Sequence, residues 1–132
     1  MKVLLDTYLE KEYGKVIEKL GYEVVSFDGK NPNKREDYGE DILIGASFLD
    51  KLNYKNHKNL KYIFLTSVGI DFMDLDYIEK KGIILSNNKG AYDDPISEWI
   101  VYGLLQVEKD DRKNIENQDK KIWEKRNFSF NL

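Results

Sequence analysis

The pattern with the clearest chemical meaning is an apolar run that ends in a glycine turn. Residues 60–66 form the run, and Ser67, Val68, Gly69 and Ile70 follow it. A glycine turn between a strand and a helix presents free backbone N–H groups, which can hold an anion without a charged side chain. Gly69 would also let the backbone turn sharply and approach a ligand. By itself, the pattern fits an ordinary strand-to-helix turn equally well.

Few other side chains could support acid–base or metal chemistry. His57 is the only histidine and the chain has no cysteine, so a transition-metal site would depend on carboxylates alone. His57 stands in a polar stretch, and we predict an exposed surface histidine. Asp71, Asp74 and Asp76 lie at the start of a predicted helix, where acidic side chains are favoured, so we predict capping rather than catalysis. No metal site is predicted.

Several nucleotide- and phosphate-binding patterns are missing from the sequence. There is no Gly-x-Gly-x-x-Gly, which lets a backbone approach a dinucleotide pyrophosphate, and no P-loop lysine motif. Residues 6–12, after the first apolar run, are too acidic to hold the phosphate of a flavin. The third apolar run ends at Gly45 without the aspartate that a receiver domain phosphorylates.

Composition limits the partners. The net charge is −3 and the pI is near 5.3, which gives no global attraction to nucleic acid or to an anionic membrane. No apolar run approaches the roughly 20 residues that span a bilayer, and the acidic residue at position 6 argues against a signal peptide. We therefore expect a soluble cytoplasmic protein.

Short apolar runs alternate with segments of helical periodicity, and they occupy residues 2–5, 22–27, 41–45, 60–66 and 83–86. This alternation is typical of a parallel sheet covered on both faces. We predict an α/β, flavodoxin-like, doubly wound domain with a five-stranded parallel sheet over residues 1–93. Ligands of such folds bind at the carboxyl ends of the strands, the edge to which Val68 and Gly69 belong.

Two helix starts can be predicted from capping residues. Thr7 and Glu10 fit a capping box, which makes Thr7 the N-cap of the first helix. Asp94 is a suitable N-cap for a later helix, with Pro95 at the first helical position.

The helix over residues 95–107 has apolar residues on two sides, so it needs two covers. We expect a homodimer through this helix, or a further domain against it. The charged residues that follow predict a solvated arm, and we assign 94–132 to a crossing helix and C-terminal arm.

Taken together, these segments resemble the D-isomer-specific 2-hydroxyacid dehydrogenases. Residues 60–71 are similar to that family's strand and substrate loop, and residues 81–87 to its next strand. Residues 95–98 and the helix after them resemble the crossing into the coenzyme domain. Trp123 and residues 128–132 resemble the approach to the strand that carries the glycine fingerprint. The order and spacing of these segments carry the resemblance.

The resemblance implies the N-terminal substrate-binding domain of a two-domain enzyme. Such enzymes exchange a hydride between a nicotinamide and C2 of a 2-hydroxy or 2-oxo acid. The family's catalytic arginine, glutamate and histidine have no counterparts in these 132 residues. We therefore expect NAD or NADP to act in the full-length enzyme, with the missing NAD-binding domain as partner. The isolated chain is expected to bind no cofactor and to be inactive.

The resemblance also implies the substrate-binding residues. It places the N–H groups of Val68 and Gly69 against the substrate carboxylate, with Ser67 and Ile70 as flanking candidates. Phe48, after the third strand, would wall the side-chain pocket.

A competing interpretation is a freestanding flavodoxin-like module that binds a small molecule or regulates a partner, without enzymatic activity. A receiver-like signalling domain ranks behind it because the phosphoacceptor is missing. The sequence identifies neither the 2-hydroxy acid nor the choice between NAD and NADP.

Overall fold

The computed structural model describes residues 1–27, 38–46, 49 and 51–125. The chain divides into two compact units, residues 1–89 and residues 90–132, and each is described by itself. Phe48 and residues 126–132 lie outside the described part, so the predictions made for them stay predictions.

The described part of the first unit contains a five-stranded parallel sheet. Its strands are β1 (Lys2–Asp6), β2 (Glu23–Phe27), β3 (Ile42–Gly45), β4 (Tyr62–Leu65) and β5 (Ile84–Ser86). They pair in the order β2-β1-β3-β4-β5. This is the strand order of flavodoxin-like folds, and the α/β prediction is confirmed. Each strand lies within two residues of the apolar run that predicted it, because continuously apolar runs suit strands buried on both faces.

Alternate residues of the central strands feed two apolar clusters, one on each face of the sheet. Leu4 and Ile63 are fully buried in the larger cluster. Val3 and Leu5 point the other way, towards helix α1 (Thr7–Lys19). Burial of each such side chain contributes about 1.5–3 kcal/mol, so the two clusters stabilise the sheet that carries the loop after β4.

The N-cap of α1 differs from the prediction. Asp6, not Thr7, is the capping residue, and its carboxylate accepts a hydrogen bond from the Leu9 N–H at 2.7 Å. The reason is that β1 continues to Asp6, whose extended backbone (φ −70°, ψ 164°) suits an N-cap, so the helix begins at Thr7.

Helix α2 (Leu75–Lys81) connects the loop after β4 to β5. Asp74 caps it by accepting from the Tyr77 N–H at 3.0 Å. Gly82 ends it in the left-handed conformation (φ 66°), which glycine adopts without steric cost. The predicted capping role of this aspartate cluster is confirmed for Asp74, and Asp76 lies in the first turn.

The second unit contains α3 (Asp93–Glu108) and α4 (Asp111–Asp119). Asp94 is not an N-cap, because Tyr92 precedes the helix and makes no side-chain capping bond. The first helical hydrogen bond runs from the Ile96 N–H to the Tyr92 carbonyl at 3.0 Å. Pro95 is therefore the third helical residue, where its missing N–H costs no intrahelical bond.

No residue of α3 is buried among the residues that the structure describes. Trp99 is 71% exposed and Val107 is 83% exposed. Among the described residues, no helix is both long enough and apolar enough to cross a bilayer.

Candidate functional site

The loop over residues 66–70 leaves β4 at the carboxyl edge of the sheet and is held from both sides. The Thr66 N–H donates to the carbonyl of Gly45, at the end of the neighbouring strand β3, at 3.0 Å. After β5, the Asn88 N–H donates to the Ser67 carbonyl at 3.0 Å, and the Asn87 side-chain amide donates to the Val68 carbonyl at 2.7 Å. The ends of three adjacent strands therefore position this loop.

The remaining carbonyls of the loop are also engaged. The Ser67 hydroxyl donates to the Gly69 carbonyl at 3.3 Å, and the Met73 N–H donates to the Ile70 carbonyl at 2.9 Å. All four carbonyls from Ser67 to Ile70 thus accept a hydrogen bond. Because these carbonyl oxygens already accept hydrogen bonds within the protein, the N–H groups of the loop can be presented to a ligand.

The amides of Val68 and Gly69 are the groups that this arrangement leaves open. Within the described residues, neither N–H donates a hydrogen bond, and both residues are exposed, Val68 by 42%. Two adjacent free amides on an anchored loop can bind a carboxylate by charge-assisted hydrogen bonds.

The backbone conformation of Gly69 is one that other residues can adopt. Gly69 is not among the glycines with positive φ. A Cβ added to it would meet only the Asp71 carboxylate, at 3.7 Å, which is ordinary contact. A side chain at position 69 would therefore fit without displacing its neighbours. The nearby Asp71 carboxylate is exposed, and its charge opposes an anion at this position.

The flanking candidates support the loop. The Ser67 hydroxyl is used inside the loop, as described above. Ile70 is partly buried and packs against the larger apolar cluster of the sheet. Phe48 lies outside the described residues. Asn87 was not predicted to anchor the loop, although a polar residue directly after β5, beside the end of β4, was a usable signal.

The prediction for His57 is wrong. Its side chain is fully buried, and its Nδ1 lies 2.9 Å from Oε2 of Glu40, whose side chain is 2% exposed. The Tyr38 ring meets the imidazole edge-on, with ring centroids 5.1 Å apart. His57 precedes β4, so this buried pair belongs to the amino edge of the sheet, opposite the loop over residues 66–70. Polar neighbours in sequence suggested exposure, whereas tertiary packing buries the side chain.

Two further acidic residues, Asp74 and Asp41, have structural partners. A hydrogen bond from Lys55 lowers the pKa of Asp74 and raises that of Lys55. The backbone N–H of Lys2, assisted by the Lys61 ammonium, lowers the pKa of Asp41. Among the described residues, no cluster of three or more His, Asp or Glu side chains could hold a metal ion.

Comparison with known proteins identifies the family of this chain. The family model for "D-isomer specific 2-hydroxyacid dehydrogenase, catalytic domain" matches residues 4–118. An erythronate-4-phosphate dehydrogenase from Acinetobacter baumannii is 24% identical over 126 residues, covering 91% of this chain and 33% of that protein. Its counterpart from Psychromonas ingrahamii is 28% identical over 82 residues, covering 60% of this chain and 21% of that protein. The chain thus spans a third or less of these relatives.

Solved structures show the same fold. A D-isomer-specific 2-hydroxyacid dehydrogenase family protein from Aeromonas salmonicida aligns with a TM-score of 0.72 at 18% identity, over 97% of this chain and 42% of that one. An NAD-dependent formate dehydrogenase from Staphylococcus aureus, in complex with NAD, aligns with a TM-score of 0.66 at 18% identity, over 94% and 43%. At such low identity the similarity shows the fold alone.

Proposed function

Because this chain belongs to the D-isomer-specific 2-hydroxyacid dehydrogenase family, we propose that it binds the substrate carboxylate in hydride transfer between NAD(H) and a 2-hydroxy or 2-oxo acid. In that reaction the hydride moves between the nicotinamide and C2 of the acid, and the hydroxyl proton passes to or from a general acid–base. The task of this chain is to hold the acid in place.

The pair of free amides at Val68 and Gly69 carries this proposal. A 2-hydroxy acid and its 2-oxo partner both have a carboxylate next to the reacting carbon, so binding that group places C2 beside the loop. Backbone amides suit the purpose because they keep their charge distribution at every pH. Since the loop is anchored through Ser67, Val68, Gly69 and Ile70 carbonyls, little ordering is needed on binding.

The described residues do not fit an NAD site. In a dinucleotide-binding fold, the pyrophosphate lies at the helix N-terminus after the first strand. Here Asp6 caps that helix with its own carboxylate on the Leu9 N–H, and this acid excludes a phosphate from the same position. We therefore propose that a separate NAD-binding domain supplies the cofactor, the general acid–base and the arginine for the substrate.

An exposed apolar strip on the sheet favours the proposal of a further domain. Phe64 on β4 is 39% exposed and Ile84 on β5 is 56% exposed. The rings of Tyr62 and Phe64 are stacked, with their centroids 6.2 Å apart. Tyr62 pairs in register with Ile84 on the neighbouring strand. These residues share one face of the sheet, and we propose that a segment of the complete two-domain enzyme covers it.

The second proposed partner is another copy of the chain, bound through α3. The helix exposes large apolar side chains on two sides, including Trp99 and Val107, while a monomer rarely leaves a contiguous apolar patch of this kind in water. A self-complementary contact between two copies of α3 would cover the patch in a closed dimer.

Substrate binding can be tested by NMR titration of the ¹⁵N-labelled chain with pyruvate and with erythronate 4-phosphate, the acid named in its relatives. We expect saturable shifts of the Val68 and Gly69 amides, with dissociation constants of about 1 mM because the other substrate-binding groups are missing. Gly69→Pro removes one donor and should abolish these shifts. Gly69→Ala keeps the donor, has room for its Cβ, and should bind within about threefold of the parent.

The proposal fails if pyruvate shifts other amides and leaves those of Val68 and Gly69 unchanged. It also fails if Gly69→Pro binds pyruvate as well as Gly69→Ala does, while the spectrum of Gly69→Pro remains that of a folded protein. Addition of NADH to the same sample should leave the spectrum unchanged. Stoichiometric NADH binding would show that the separate cofactor domain is not needed.

A further inference from the structure

A small cavity of about 230 Å³ lies at the amino edge of the sheet and is lined by Lys55, Lys58, Tyr77 and Lys81 among others; we refer to it as the lysine cavity. Lys55 and Lys58 precede β4, and Lys81 is the last residue of α2 before β5. The loop over residues 66–70 follows β4 instead. The four residues of β4 separate the two places by about 13 Å, so the cavity is not part of the substrate loop.

Two of the three ammonium groups are held in place by Tyr77. The Lys55 Nζ lies 5.1 Å from the centroid of the Tyr77 ring, and the Lys81 Nζ lies 6.0 Å from it. The Tyr77 hydroxyl donates to the Lys55 carbonyl at 3.4 Å, and Lys55 also pairs with Asp74. The positive charges therefore converge on one ring and do not project independently into solvent.

Among the residues that the structure describes, the lysines at the cavity outnumber the carboxylates beside it. Asp74 compensates Lys55, but Lys58 and Lys81 form no ion pair with any residue that the structure describes. No carboxylate is among the described residues that line the cavity, although His57, which does line it, lies against the buried Glu40 carboxylate. Since the whole chain carries a net charge of −3, this excess of positive charge is local.

We propose that the lysine cavity binds a small phosphate-bearing molecule. Lysine ammonium groups bind phosphate as point charges, and Lys58 and Lys81 together match the charge of a phosphate dianion. The volume accommodates a phosphate group with a few further atoms. Lys55 lies over the Tyr77 ring, and the centroid of the Tyr54 ring lies 6.1 Å from that of the Tyr77 ring. A nucleotide base therefore has little room to stack on Tyr77.

The test is an NMR titration of the ¹⁵N-labelled chain with inorganic phosphate, at ionic strength held constant with sodium chloride. We expect saturable shifts of the Lys58, Leu60, Lys81 and Ile83 amides, which surround the cavity, and none at Gly69. Lys58→Gln and Lys81→Gln should each weaken phosphate binding about tenfold, because each removes one charge-assisted contact.

Lys80→Gln is the matched control, since Lys80 also lies in the last turn of α2 but does not line the cavity. It changes the net charge equally and should leave the dissociation constant unchanged. The proposal is overturned if the shifts stay linear up to about 20 mM phosphate or occur at Gly69 instead. It is also overturned if Lys80→Gln weakens binding as much as Lys81→Gln does. Spectra of the variants report folding in the same experiment.

Discussion

The side-chain amide of Asn87 donates a hydrogen bond to the carbonyl oxygen of Val68 at 2.7 Å. This contact joins the residue after β5 to the loop after β4, and it orients the Val68–Gly69 peptide whose N–H belongs to Gly69. The next residue, Asn88, holds the same loop through its backbone N–H on the Ser67 carbonyl at 3.0 Å. One anchor therefore depends on a side chain, whereas the other does not.

Asn87→Ala should weaken binding of a 2-oxo acid about three- to tenfold, because loss of one hydrogen bond of about 1 kcal/mol leaves the Val68–Gly69 peptide free to rotate. The dissociation constant for pyruvate, measured by NMR titration, checks this. Asn88→Ala is the control: its backbone contact survives, so affinity should stay at the parent value. Equal affinities for both variants would show that Asn87 does not orient the loop.

Glu40→Ala should lower the free energy of unfolding by about 3 kcal/mol, since it leaves His57 buried beside an empty position. The measurement is urea denaturation followed by circular dichroism. The double variant Glu40→Leu/His57→Leu removes both polar groups and should be less destabilised than the single variant. A single variant within about 0.5 kcal/mol of the parent would mean that the pair contributes nothing.

Asp41 should make stability depend on pH. The Lys2 N–H, and then the Lys61 ammonium, hold the pKa of its carboxyl in the folded state below the ordinary aspartate value of 3.8. A depressed pKa stabilises the fold above the unfolded-state pKa, and this contribution is lost as the pH falls through the folded-state pKa.

Urea denaturation of the parent and Asp41→Asn at several pH values tests this. The variant should be about 1 kcal/mol less stable near neutral pH. An ordinary aspartate carboxyl is half protonated at pH 3.8. The difference in stability between the two proteins should vanish well below this pH. A difference that stays constant across this range would exclude the ionised carboxylate as its source.

Trp99→Lys should prevent self-association through α3, because it places a charge within the exposed apolar surface of this helix. Light scattering coupled to size-exclusion chromatography should give a dimer for the parent and a monomer for the variant. Trp123→Lys makes the same substitution at a residue that is 98% exposed and outside α3, and it should remain dimeric. A monomeric parent at high concentration would contradict the proposed dimer.

Local chemistry explains which features could be predicted from the sequence. Runs such as Ile42–Gly45 are apolar at nearly every position, so they predict strands buried on both faces regardless of their partners. The cap of α2 at Asp74 and the end of this helix at Gly82 involve groups within four residues of each other. The cap of α1 was misplaced by one residue because Asp6 and Thr7 are both good caps, and only the pairing of β1 with β2, which continues to Asp6, decides between them.

The sequence by itself determined the α/β class, the parallel sheet, the excess apolar surface of α3 and the position of the candidate substrate loop, because these depend on composition and short-range periodicity. Tertiary structure alone decided that His57 is buried against Glu40, which is 17 residues away, and that Asn87 anchors Val68 across two strands. It also decided that Lys55 and Lys81 meet over one ring. The physical reason is that such contacts depend on which strand ends the sheet brings together, and this order is not encoded within any local window of sequence.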